Sequence, residues 1–227
     1  VCPAPCESAC VMKINRESIA IKGIERTIID EAFENGWVEP KIPSHRRNEK
    51  VAIIGSGPAG LTAAEELNLL GYQVTIYERA RESGGLLMYG IPNMKLDKYV
   101  VRRRIKLMEE AGITFINGVE VGVDIDKETL ESEYDAIILC TGAQKGRDLP
   151  LEGRMGEGIH FAMDYLTEQT QLLNGEIDDI TITAKDKNVI IIGAGDTGAD
   201  CVATALRENC KSIVQFNKYT KLPEAIT

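Results

Sequence analysis

Three stretches of the chain carry residues whose types and spacing could do chemistry. The first is Cys2-Pro3-Ala4-Pro5-Cys6-Glu7-Ser8-Ala9-Cys10, with a thiol at every fourth position. Thiols interleaved with prolines suit the ligand geometry of an iron–sulfur cluster; the alternative is three incidental thiols. Zinc would need a second Cys/His pair nearby, and the sequence has none there. Pro3 and Pro5 predict that no continuous helix joins Cys2 to Cys6. A cluster takes four ligands, so a fourth is expected from a non-cysteine residue or from upstream of Val1.

The other two stretches are glycine turns. Residues 51–54 are apolar and run straight into Gly55-Ser56-Gly57-Pro58-Ala59-Gly60, and Asn188-Val-Ile-Ile-Ile192 runs into Gly193-Ala194-Gly195-Asp196-Thr197-Gly198. Gly-x-Gly-x-x-Gly between a strand and a helix is the dinucleotide-binding pattern. Gly55 serves the tight turn, Gly57 the approach of the backbone to a pyrophosphate, and Gly60 the close packing of helix on strand. Pro58 suits a first helical turn, and the free N–H groups of that turn attract phosphate; Ser56 and Ala59 belong to the same cradle. Glu78 ends the next apolar run about 20 residues on, where a carboxylate holds a ribose hydroxyl. In the second unit that place falls to Asn217, with Lys218 and Lys221 following. A carboxylate would repel a 2′-phosphate, so its absence leans towards NADP(H); the other reading of the lysines is simple solvation. Asp196 at the helix start is tolerated electrostatically and is expected to cap. His45 and His160 lie in no nucleophile pattern, and no side chain is singled out as catalytic.

Strands are expected at residues 51–54, 74–77, 114–116, 119–121, 134–140, 188–192 and 212–216. Helices are expected at 61–70, 98–111, 162–173 and 197–208. Ile24, Ile28, Ile29 and Phe33 share one apolar face of a helix closed by Gly36. Residues 84–92, with three glycines and Pro92, read as an extended loop whose Leu86, Leu87 and Met88 form a ligand wall. The continuous apolar run before Cys140 predicts a strand buried on both faces, and Thr141-Gly142 at its end lie where open α/β sheets bind ligands. Cys140, Cys201 and Cys210 read as structural.

The fold class is therefore α/β: a Rossmann-like arrangement for two dinucleotides, a parallel sheet flanked by helices, preceded by a small helical cysteine-containing segment. The expected division is residues 1–45, a first nucleotide domain at 46–150, a connection at 151–187, and the start of a second nucleotide domain at 188–227. That last stretch is 40 residues, short of the hundred or so of a typical domain, so the second domain is expected to be truncated, and Val1 suggests a missing native start. Of the 227 residues 44% are hydrophobic, enough for a packed core, and the net charge of −9 argues against nucleic acid or an anionic membrane as partner. No apolar run is long enough to span a bilayer. The sparse cysteines suit a reducing, cytoplasmic setting.

Residues 1–7, 20–26, 84–92, 95–98, 160–164 and 195–201 together resemble the small (beta) subunit of NADPH-dependent glutamate synthase, along nearly the whole chain. The resemblance implies a flavoprotein: FAD in the first unit, held by Gly55, Gly57, Glu78, Gly85, Leu87, Val121 and Thr141 with Gly142 beside it. It implies NADPH in the second unit, its pyrophosphate on Gly193, Gly195, Asp196 and Thr197, and Lys218 near the ribose. It implies two [4Fe–4S] clusters in the cysteine segment, with Cys2 and Cys6 on one, Cys10 on the other, and Glu25 as an oxygen ligand; the alternative for Glu25 is an exposed helix carboxylate. Electrons would pass from NADPH through FAD and the clusters to a large subunit that makes glutamate. The family's upstream cysteines and its closing flavin segment are missing, so clusters are expected to be incomplete and the fragment alone inactive. Met88 stands where an arginine is common. A sibling flavin oxidoreductase serving ferredoxin, sulfide or a pyrimidine-reducing site is the nearest rival, and residues 20–26, 160–164 and 195–201 favour the first reading. A truncated, non-catalytic nucleotide-binding scaffold is the rival from another class.

Overall fold

The computed structural model describes residues 1–143 and 145–217. Among these, residues 1–40 form one compact unit and residues 41–217 another.

In the first unit, helix α1 (Pro5–Ser8) begins on Pro5, and Ala4 before it has a left-handed backbone. Cys2 therefore lies outside the helix, Cys6 inside it and Cys10 beyond it, as the prolines require. Helix α2 (Ile21–Glu34) starts where the Lys22 N–H donates to the Glu7 carboxylate at 2.8 Å, which satisfies one open donor of its first turn. It ends at Gly36, whose φ of +68° lets Trp37 N–H reach back to the Ala32 carbonyl. The apolar spacing of α2 is as expected, but no residue of α2 is buried, and Ile24, Ile28 and Ile29 are exposed.

The second unit is built on a four-stranded parallel sheet of order β3-β2-β1-β4, with β1 (Lys50–Ile54), β2 (Gln73–Glu78), β3 (Thr114–Asn117) and β4 (Ala136–Leu139). Alternate side chains of β1 enter opposite faces. Val51 and Ile53 join Leu61 and Ala64 of α3 (Pro58–Leu69) and Met108 of α5 (Lys98–Glu110). Ala52 and Ile54 join Tyr77 and Leu130 of α6 (Lys127–Glu133). Both faces are covered, which is why β1 reads as an unbroken apolar run. Beyond a connection carrying α7 (Ala162–Leu173), β5 (Asn188–Ile192), α8 (Asp196–Arg207) and β6 (Ser212–Phe216) repeat the unit as a parallel pair. Val189, Ile191 and Ile213 pack with Cys201 and Ala205 of α8, while Ile190, Ile192, Val214 and Phe216 on the other face are exposed.

Three expectations need correction. β4 is not buried on both faces: among the described residues it is an edge strand that pairs with β1 alone, and Leu139 is exposed. Residues 119–121 form no strand; Val121 makes a single bridge to Ile125, and β3 ends before them. Residues 86–89 are not extended but a single helical turn, α4 (Leu86–Tyr89), with Met88 fully buried rather than facing a ligand. No helix of the described residues is long and apolar enough to cross a membrane.

Lys98 is buried at the start of α5 and anchors α4. Its Nζ donates to the Leu87 carbonyl at 3.0 Å and to the Ile91 carbonyl. Burial, helped by the Arg102 charge, lowers its pKa to about 8. The unfolded chain holds that proton up to the ordinary lysine range, so between pH 8 and 10 it binds more protons than the folded chain. The stability of the wild type relative to Lys98→Met is therefore expected to rise from pH 8 to pH 10. Denaturant midpoints of both proteins across that range check this, and a flat difference would show that Lys98 titrates normally.

Two matched glycine turns form the candidate functional site

The two glycine turns have the same backbone. Gly55 and Gly193 both have positive φ, +102° and +123°, a region closed to ordinary side chains. Their N–H groups donate to the last residue pairing opposite, Gly55 to Tyr77 and Gly193 to Phe216. Gly57 and Gly195 are the N-caps, with ψ of −179° and −176°, and each opens a helix of 12 residues. A Cβ on Gly60 would collide with the Gly55 carbonyl, and one on Gly198 with the Gly193 carbonyl. The third glycine is thus demanded by helix-to-turn contact in both units. A Cβ on Gly57 or Gly195 would meet nothing within 4 Å, so the space in front of each helix N-terminus is open. Asp196 does not cap: it is the first helical residue after Gly195, its carboxylate accepts no capping hydrogen bond, and it is exposed.

Around the first turn the fold gathers most of the expected residues at the carboxyl ends of β1, β2 and β4. Glu78 is buried, and its Oε2 accepts from Ser56 N–H at 3.0 Å and Ser56 Oγ–H at 2.5 Å, while Oε1 accepts from Ala80 N–H at 2.9 Å. These three donors take up most of the roughly four acceptor sites that a carboxylate offers. Ser56 Oγ in turn accepts from Gly84 N–H at 2.9 Å. Gly85 lies against the turn, where a Cβ would sit 2.8 Å from Gly57 Cα. Pro58 and Ala59 are exposed at the helix start. Thr141 abuts Gly55, and Gly142 follows it, both exposed. Leu87 is half-buried against the core, and Val121 is half-buried against the cluster of Ala52, Ile54, Tyr77 and Leu130.

In the second unit Gly193, Gly195, Asp196 and Thr197 form the turn, and Asn217 holds the place of Glu78, since Ile54 pairs with Tyr77 and Ile192 with Phe216. Lys218 and Lys221 lie outside the described residues. Lys95, whose role sequence reasoning missed, stands 2.6 Å from Asp200 Oδ1 and 4.0 Å from Asp196 Oδ1. Its only signal was membership in the 95–98 segment of the resemblance. Gly84 was read as a loop residue; nothing local in the sequence marks it as the donor to Ser56.

The cysteine segment does not assemble a complete site. Cys2 and Cys6 are exposed, Cys10 is half-buried and Glu25 is exposed. Among the described residues no three His, Cys, Asp or Glu side chains are grouped to hold a metal ion. Two of the thiols nevertheless have amide donors. Ala4 N–H points to Cys2 Sγ at 3.4 Å. The backbone N–H of Ile19, and then those of Met12 and Lys13, hold the Cys10 thiol below its usual pKa. In the second unit burial pushes the Cys201 thiol up to about 11, with the Asp200 charge adding to it, which suits a structural thiol.

Residues 49–221 match the family model described as pyridine nucleotide-disulphide oxidoreductase. The whole chain is 58% identical to the glutamate synthase [NADPH] small chain of Bacillus subtilis, covering 46% of that protein. Over 94% of its length it is 53% identical to the glutamate synthase [NADH] of Schizosaccharomyces pombe, covering 10% of it. The chain thus spans about half the length of the small-chain relatives it matches. Among solved structures, FprA of Mycobacterium tuberculosis in complex with NADPH shares the fold with a TM-score of 0.62 at 21% identity, over 74% of this chain and 43% of that one.

The relay through Ser56 predicts strong coupling. Ser56→Ala and Glu78→Gln, alone and together, should show an interaction energy of about 1–2 kcal/mol in a double-mutant cycle of unfolding. Additive effects would mean the two side chains act independently.

Proposed function

The chain belongs to the pyridine nucleotide-disulphide oxidoreductase family, and from that premise we propose that it is the electron-input part of an NADPH-dependent glutamate synthase small chain. The observation that carries this is the pair of matched phosphate-binding turns in one chain, one followed by the carboxylate of Glu78 and the other by the amide of Asn217. The difference supports FAD at the first turn and NADPH at the second. The names of the relatives support the choice of glutamate synthase among flavin oxidoreductases.

Each residue then has a task in binding. The open N-terminal turn of α3, with Gly57 at its cap, receives a pyrophosphate on free N–H groups and the positive dipole end. Glu78 holds the ribose with its remaining acceptor site. Gly84 and Gly85 close the wall behind the dinucleotide, and Leu87 supplies apolar surface. Thr141 and Gly142 border the opening from β4. The bound cofactors supply the redox chemistry, a hydride passing from NADPH to the flavin, and the protein positions them.

The reading extends to a large subunit that forms glutamate, with electrons reaching it through [4Fe–4S] clusters to which Cys2, Cys6 and Cys10, with Glu25, contribute ligands. Amide donors on Cys2 and Cys10 support thiolate ligation. Among the described residues these side chains do not complete a ligand set. The six free thiols suit a cytoplasmic enzyme.

An absorbance spectrum of the anaerobically purified protein, with flavin, iron and sulfide assayed on the same sample, tests the reading. Flavin bands are expected, and a colourless protein would count against the first assignment. Gly57→Ala, which the fold accommodates, should weaken FAD retention by about tenfold or more while leaving the melting temperature nearly unchanged. Asn217→Asp should move the ratio of kcat/KM for NADH over NADPH upward by about tenfold. An unmoved ratio would remove Asn217 from cofactor discrimination.

A further inference from the structure

The second turn contains an electrostatic conflict. Asp196 and Asp200 stand one turn apart on the same face of α8, at the N-terminus that, on the function proposed above, receives the NADPH pyrophosphate. A carboxylate there complements the helix dipole but repels an incoming anion. Asp200 is also buried. Such a group is costly without a partner of opposite charge.

Lys95 supplies that partner from the other nucleotide unit. Its Nζ lies 2.6 Å from Asp200 Oδ1 and 4.0 Å from the exposed Asp196 Oδ1. It is mounted on a rigid turn: Lys95 and Leu96 N–H both donate to the Pro92 carbonyl, at 2.9 and 3.1 Å. The adjoining residues are held by Lys98 through the Ile91 and Leu87 carbonyls. The same segment therefore walls the first dinucleotide site and presents a cation to the second.

We propose that Lys95 is a positioning residue for the pyridine nucleotide: it neutralises Asp200 beside the second phosphate-binding turn, so that the carboxylates of α8 do not repel the pyrophosphate, and it ties α8 to the wall of the flavin site. Lys95 acts through Asp200 and Asp196 and needs no contact with the reacting atoms. The placement also gives the two sites a shared element, because the turn that carries Lys95 begins directly after the Gly84–Ile91 wall.

The test is direct binding of NADPH and NADP+, followed by fluorescence titration, to the full-length polypeptide containing residues 1–227. Lys95→Met should raise Kd about tenfold, and higher ionic strength should narrow that gap by screening the repulsion. Lys95→Arg should stay within about threefold of wild type, since the charge is kept. The double variant Lys95→Met/Asp200→Asn, which leaves no unpaired buried charge, should recover to within about threefold as well. Asp200→Asn alone should bind as tightly as wild type or tighter, and it carries the test if Lys95→Met fails to fold. An unchanged Kd in Lys95→Met would overturn the proposal. So would a double variant as weak as Lys95→Met, or a tenfold loss in Asp200→Asn. A wild-type protein that retains flavin but binds neither nucleotide would instead overturn the assignment of the second turn, and the proposal with it.

Discussion

The hydrogen-bond relay from Glu78 through Ser56 to Gly84 joins three segments that are distant in sequence: the end of β2, the turn after β1, and the glycine loop before α4. A buried carboxylate is costly unless its oxygens accept. Here Ser56 N–H, Ser56 Oγ–H and Ala80 N–H meet that need, and in doing so they set the separation between turn and loop. Gly85 can then lie directly on Gly57 because Gly85 carries no side chain. The loop is pinned a second time by Lys98. The turn and the glycine loop therefore hold a fixed separation in front of α3.

The second unit repeats the backbone of the first but not its supporting contacts. Where Glu78 braces Ser56, the second turn has Gln215, whose Nε2 donates to the Gly193 carbonyl at 2.8 Å. The two units are also linked away from the turns. Tyr89 of α4 donates to the Glu176 carboxylate at 3.0 Å, just beyond the end of α7, and accepts from Glu82 N–H at 3.0 Å. Burial, opposed by the Glu82 N–H and helped by the Glu176 carboxylate, pushes the Tyr89 hydroxyl pKa up, so it stays a donor. Glu82 is in turn gripped by both ends of the Arg102 guanidinium at 2.7 Å, which holds its carboxyl below the usual range. With Lys95 on Asp200, these contacts make the wall of the first site part of the framework of the second. Both turns are thus braced by the same short segment, residues 84–98.

The cysteine unit follows different physics. It has a short proline-started helix and an α2 stabilised at both ends, by Glu7 at its start and Gly36 at its close, yet none of α2 is buried. Its thiols are presented on a turn instead of along one helical face, and amides point at two of them.

The parts of this protein that depend on local backbone demands were legible in the sequence. Both glycine turns, the strands before them, the helices after them and the repeat itself follow from period, length and the steric demands of glycine at Gly55, Gly60, Gly193 and Gly198. The break between Cys2 and Cys6 followed from the prolines alone. What the sequence could not give was the neighbour of each element. The β4 run looks like a central strand, and it became an edge because β1 alone pairs with it among the described residues. Met88 looks like a ligand wall, and it became core because residues 86–89 coil into a turn of helix under Lys98. Asp196 has the type of a capping residue, yet Gly195 takes that position. Lys95 is an ordinary polar residue until the fold sets it against Asp200, 105 residues away along the chain. Periodicity and glycine sterics act over a few residues and can be read from the string, whereas burial and charge pairing are decided by segments that meet only once the sheet has formed.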